Sequence, residues 1–255
     1  MPDALDTDGP HQPPFDRLAE ALALSEPLIG FYDAPDAAPF APYVDPPDGA
    51  GRGACIFDYR RRWLQGERLH LTRQSHICGG AQRSLCGLQT RSREEFIAFL
   101  CDDEGLRASR ELMADWIDAS HTYRPRHEHL IIGPLVPHQY AWLRTVTFYV
   151  NPDQFSVLQH GAYYNSDAAG PAPVIVPFSS GCGELVAVFD DLDVPQAAVG
   201  STDIAMRHVL PANLLAFTVT RPMFEQLCAL DAHSFLGKGF LKRLKKVRGQ
   251  AWGRS

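Results

Sequence analysis

The segment Ser75-His76-Ile77-Cys78-Gly79-Gly80-Ala81 constrains this chain more than any other. It sets an imidazole and a thiol two residues apart, then two glycines that let the backbone turn sharply. Two more thiols have similarly bare surroundings. Cys55 lies in Gly51-Arg52-Gly53-Ala54-Cys55, and Cys182 in Ser179-Ser180-Gly181-Cys182-Gly183-Glu184. Our reading of the pattern is that Cys55, Cys78 and Cys182 converge in space.

The chain has 255 residues, enough to bury a real core in one large domain or two small ones. A net charge of -6 argues against nucleic acid as the main partner, since phosphate binding needs clustered Lys and Arg. No apolar run approaches the ~20 residues that span a bilayer, and the acidic, Pro-rich start lacks the basic and apolar regions of a signal peptide. The expectation is a cytoplasmic protein with no membrane partner. Its six cysteines are then reduced, and none forms a Cys-x-x-Cys pair.

Along the chain, residues 1–14 read as a disordered leader, 15–236 as a folded domain and 237–255 as a basic, solvated tail. Helical spacing marks residues 15–24, followed by a strand at 27–32. The Pro-rich stretch 33–53 reads as a long loop suited to a mobile cover. Residues 54–66 are expected to be helical, with Cys55 in the first turn, where the helix dipole favours a thiolate. A strand at 68–72 leads into His76 and Cys78, and a short helix at 81–88 contains Cys86. Ser92-Arg93-Glu94-Glu95 is a capping box; the helix it opens ends at Cys101, which reads as a core thiol. A further helix spans 109–119. Strands are expected at 129–135, 145–150, 174–177, 185–189, 205–210 and 214–220. Asn151-Pro152-Asp153-Gln154 starts a helix, and Pro222 opens another carrying Cys228. Helices and strands mix without strict alternation. The expected fold is α+β: a mixed β-sheet flanked by helices, mainly one domain.

In order, the chain offers Cys55 opening a helix that ends at Gly66-Glu67, Cys78-Gly79-Gly80, Leu85-Cys86-Gly87-Leu88, Asn151 to Gln154, and Ser180-Gly181-Cys182-Gly183. This order resembles the bacterial and archaeal family catalogued as domain of unknown function number 169, over residues 15–230. The resemblance implies thiols recurring at Cys55, Cys78 and Cys182, and brings no settled activity. Cys86, the Pro-rich loop and the basic tail depart from the pattern.

Three functions compete. In the first, Cys55, Cys78 and Cys182 hold a metal or three corners of a four-iron (4Fe-4S) cluster, with zinc as the alternative ion. The remaining position is open to a small molecule or bound by His76, and an open metal acts as a Lewis acid. Ser180, Glu184 and Arg83 would then support the site or its ligand. In the second, a cysteine is a metal-free nucleophile with a histidine base. Candidates are Cys78, His76 and Glu184, with His121, His127, His129 and His138 as other bases. In the third, the chain is a non-enzymatic module, with Arg52 and Arg60–Arg62 capturing an anionic ligand. The bland counterpart is three partly buried structural thiols and a solvated Arg face. Substrate, reaction and oligomeric state are open at this level.

Overall fold

The computed structural model describes residues 13–48, 53–167 and 169–252. The expected leader, apart from Pro13 and Pro14, lies outside the described residues. In chain order the main elements are α1 (Asp16–Leu22), β1 (Ile29–Ala34), β2 (Tyr43–Val44), α2 (Arg60–Trp63), β3 (Arg68–Leu71), α3 (Gly79–Cys86), α4 (Arg93–Ala98) and α5 (Arg110–Ala119). Next come β4 (His129–Pro134), β5 (Leu143–Val150), α6 (Pro152–Tyr163), β6 (Val174–Ile175), β7 (Ala197–Gly200), β8 (Leu215–Thr220), α7 (Arg221–Cys228) and α8 (Gly239–Arg248). The strands form one mixed sheet in the order β2-β3-β4-β1-β5-β8-β7-β6. The two edge pairs are parallel and the central pairs antiparallel. The protein is α+β with a single mixed sheet, as expected.

The alternation along the central strands explains how both faces are covered. In β5, Val146, Phe148 and Val150 join one core with Phe217 and Val219 of β8, while Tyr149 and Ala216 join the other. The first face is closed by α1, α6 and α7 through Leu18, Leu158, Met223 and Phe224. The second is closed by Ile56, Phe57 and Trp63, by α3 through Ala81 and Leu85, and by the turn Cys182, Leu185 and Val186. A satellite core joins α4, the π-helical turn Phe99–Asp103 and α5 through Ile97, Leu100, Met113 and Ile117.

Local chemistry sets several boundaries. Ser92 accepts from the Glu95 N–H and Glu95 returns a bond to the Ser92 N–H, so the capping box closes in both directions. Asn151 and Gln154 do the same at α6. Asp33 is 2 % exposed on β1, yet it accepts hydrogen bonds from Tyr123 Oη (2.6 Å), Arg126 N (2.7 Å) and His127 N (2.9 Å). These bonds replace its lost hydration and fix the segment entering β4.

Five sequence expectations change. Residues 185–189 are not a strand: a 3-10 turn at Gly183–Leu185 runs into further turns, and every side chain from Cys182 to Ala187 is buried. Unbroken burial, without alternation, is compatible with either form. Residues 205–210 hold the 3-10 turn Arg207–Val209, and the strand beside β8 is Ala197–Gly200. The Pro-rich stretch is anchored rather than a free cover: Ala37 and Phe40 enter the core and Tyr43–Val44 pairs with β3. Residues 79–80 are the first turn of α3 instead of a break before it. The expected solvated tail folds as α8, packed through Leu241. Among the described residues, no helix is long and apolar enough to cross a membrane.

Candidate functional site

Each of the three singled-out cysteines is the N-cap of a helical turn. Cys55 precedes the 3-10 turn Ile56–Tyr59, which continues into α2. Cys78 precedes α3, and Cys182 precedes Gly183–Leu185. The first two segments are joined directly. Ala54 and Ile77 form an isolated parallel bridge, in which Ala54 N–H donates to His76 O (3.3 Å) and Cys78 N–H donates to Ala54 O (3.0 Å). Cys55 and Cys78 therefore leave this bridge side by side.

Glycine permits the close approach. A Cβ on Gly53 would overlap the Ile77 carbonyl. One on Gly181 would sit 2.9 Å from Met206 Cγ and 3.1 Å from the Phe57 ring, just past Cys55. One on Gly80 would lie 3.9 Å from Cys182 Sγ, so the first turn of α3 faces that sulfur. Gly53 thus lets the first two backbones meet, while Gly181 lets the Cys182 turn pack against Phe57 and Met206.

The thiols also sense one another. Burial pushes Cys182 up to about 12; Cys78 and Cys55 raise it further, while the Ser180 and Ser84 hydroxyls pull it down. Ser180 Oγ lies 3.2 Å from Cys182 Sγ and 3.5 Å from Ser84 Oγ. Burial likewise raises Cys55, with Cys78 adding to it, and the Phe57 and Asp58 N–H groups of its turn oppose the rise. The expectation that the helix start alone would favour a Cys55 thiolate is overturned, because desolvation outweighs those N–H groups.

Residues 201–206 hold the Cys182 turn from above. Glu184 is 2 % exposed; its Oε2 accepts from Ser201 N–H (2.5 Å) and its Oε1 from Thr202 Oγ1 (3.1 Å). Ser201 reaches that bond with φ +62°, a conformation uncommon outside glycine. Asp203 accepts from Gly181 N–H (3.2 Å), and Met206 packs on Gly181. Burial raises Glu184 to about 7 against these donors. Ser84, Ser201, Thr202 and Asp203 escaped the sequence reading. Only the polar run Ser201-Thr202-Asp203 after Gly200 hinted at a shaped turn.

Several expected participants lie elsewhere. Arg83 donates to Ile117 O and Ser120 Oγ, holding the end of α5. Arg60 pairs with Glu26 and Arg62 with Glu67, so the Arg run does not converge; Arg52 lies outside the described residues. His121 pairs with Asp190, His127 with Asp33, and His129 Nδ1 lies 2.9 Å from His70 Nε2, whose Nδ1 meets Asp45 (2.5 Å). His138 is exposed on the turn Pro137–Trp142. His76 is half-buried beside the site, its carbonyl on Ala54. Cys86 shares the core cluster of Cys55, Cys78 and Cys182, whereas Cys101 and Cys228 pack against the other two clusters; burial raises Cys86 to about 11 and Cys228 to about 12.

Among the described residues, no three His, Cys, Asp or Glu side chains are gathered tightly enough for a single metal ion. A four-iron cube gives each thiolate its own iron and spreads its ligands more widely.

Beside the Cys182 turn, a cleft of about 240 Å³ is lined by Tyr123, Arg124, Arg126 and Arg144, together with Val186, Ala187 and the acidic segment Asp190–Asp193. Arg144 Nε is buried without a hydrogen-bond partner.

Residues 17–229 match the family model DUF169, described as uncharacterised ArCR, and the chain belongs to that family. No curated protein and no solved structure matches it.

Proposed function

We propose that this member of the DUF169 family binds an iron–sulfur cluster of the four-iron type through Cys55, Cys78 and Cys182, and uses it on a small molecule. The observation that carries the reading is the proximity of three N-cap cysteines: Cys55 and Cys78 leave one backbone bridge, which Gly53 permits, and Cys182 Sγ faces the first turn of α3 at Gly80. Soft thiolates are the ligands such clusters take, and the N–H groups of a helical start supply hydrogen bonds to bound sulfur. When bound, the cluster would supply an iron without a thiolate, open to an oxygen or sulfur of the small molecule or to His76. Ser180 and Ser84 would donate to the Cys182 sulfur, and the 201–206 segment would hold its turn in place.

Burial weighs against Cys182, though not against Cys78, as a metal-free nucleophile. A Cys182 thiol raised to about 12 is almost wholly protonated at neutral pH, and the thiolate is the attacking species. Metal binding removes that proton with its own charge.

Anaerobic isolation, followed by iron and sulfide analysis and an absorption spectrum, tests the reading. The expected protein is brown, with about four irons per chain, and Cys78→Ser loses them. A colourless protein that takes up no iron when supplied with iron and sulfide contradicts the proposal. Full iron content in Cys78→Ser removes Cys78 from the site.

A further inference from the structure

All four lysines of the chain lie between Lys238 and Lys246. From Ala232 to Ser255 there are seven Lys and Arg residues and no Asp or Glu, whereas the preceding residues carry all 30 acids. This segment follows the part of the chain that matches the family, which ends at residue 229. It folds as α8, one face of which is held by Leu241 in the core, by Lys245 over the Trp252 ring and by the Arg248–Asp153 ion pair.

The opposite face is unusual. Phe240 is 88 % exposed and Val247 is 70 % exposed. Seven residues apart, they stand nearly in line along the helix, with Arg243 between them and Lys242 and Lys246 on the flank. Among the described residues, Lys242, Arg243 and Lys246 make no ion pair. Exposed apolar side chains among unpaired cations match a surface that offers both negative charge and hydrocarbon. A nucleic acid answers the charge, but not an aligned Phe and Val. An acidic protein groove would answer both only with apolar pockets at this spacing.

We propose that α8 docks flat on the headgroup region of an anionic lipid bilayer, inserting Phe240 and Val247 while Lys242, Arg243 and Lys246 meet lipid phosphates and carboxylates. This is surface attachment, distinct from crossing. It would place the family domain at a membrane and does not depend on what Cys55, Cys78 and Cys182 hold.

Co-sedimentation of the full chain with vesicles tests the proposal, using pure phosphatidylcholine and a mixture with about 30 mol % phosphatidylserine. Binding is expected to the mixture only, to fall with added salt, and to weaken about fivefold for each charge removed by Arg243→Gln or Lys246→Gln. The double variant Phe240→Ser, Val247→Ser is expected to lose binding while its far-ultraviolet circular dichroism stays unchanged. No binding to either vesicle overturns the proposal. So does equal binding by the double variant, which would reduce the helix to a general polyanion contact, and so does tighter binding to duplex DNA or RNA than to vesicles.

Discussion

On one face of the sheet, Phe148, Phe217 and Phe224 lie fully buried beneath α1, α6 and α7. On the other, Cys55, Cys78 and Cys182 open short helical turns that meet across glycines, held by a hydroxyl network and a buried carboxylate. The helical face is closed by large apolar side chains, whose burial is the main favourable term in folding. The cysteine face admits polar groups, close backbone approaches and a left-handed serine, which cost stability unless something else is gained. The cysteine face has its own apolar core around Trp63, Phe31 and Phe57, so on the proposed function the contrast is that this face alone adds the polar, glycine-permitted turns to a packed core.

The largest expected effect is on the helical face. Phe148→Ala should cost about 3–5 kcal/mol in chemical denaturation, because a fully buried ring leaves a cavity there. Cys78→Ser should cost far less stability and abolish iron binding instead. If Cys78→Ser unfolds the metal-free protein as severely as Phe148→Ala, the division between faces fails.

A pH titration sharpens the comparison next. Glu184 has a folded value of about 7, above the ordinary 4.5. Its neutral form therefore suits the fold better than its charged form. That contribution is fully present below about pH 4.5 and is lost as the pH rises through 7. Relative to Glu184→Gln, the wild type should lose about 3 kcal/mol across this window. A constant difference between the two proteins would mean that Glu184 is not held as the buried contacts imply.

Gly53→Ala is expected to cost about 1–3 kcal/mol, since its Cβ meets the Ile77 carbonyl and the Ala54–Ile77 bridge has to shift. The same variant should bind less iron, because Cys55 is displaced from Cys78. Asn151→Ala, at the start of α6 on the helical face, should cost about 1 kcal/mol and leave iron binding intact. Thermal melts and iron analysis of the two variants separate a local helix effect from a site effect.

Local signals in the sequence carried much of the fold. The capping boxes at Ser92 and Asn151 and the branched, aromatic run of β5 are decided by neighbours a few residues away. Ala197–Gly200 was missed because Ala-Ala-Val-Gly has little strand preference of its own; pairing with β8 on one side and β6 on the other makes it a strand. The proximity of Cys55 and Cys78 was anticipated from glycine-rich surroundings, but their shared bridge is a long-range pairing that periodicity does not reveal. Burial, too, was invisible. It reverses the expected ease of ionising Cys55, because the core packed around the turn outweighs the local helix start.

Differential alkylation of the anaerobically isolated protein, mapped by mass spectrometry, tests the central claim most directly. Cys55, Cys78, Cys101 and Cys228 are all half-buried, so access alone does not set the first pair apart from the second. Cys55 and Cys78 are expected to resist the reagent until iron is stripped, while Cys101 and Cys228 react at the same rate before and after. Iron-loaded protein in which Cys55 and Cys78 react as fast as Cys101 would contradict the claim.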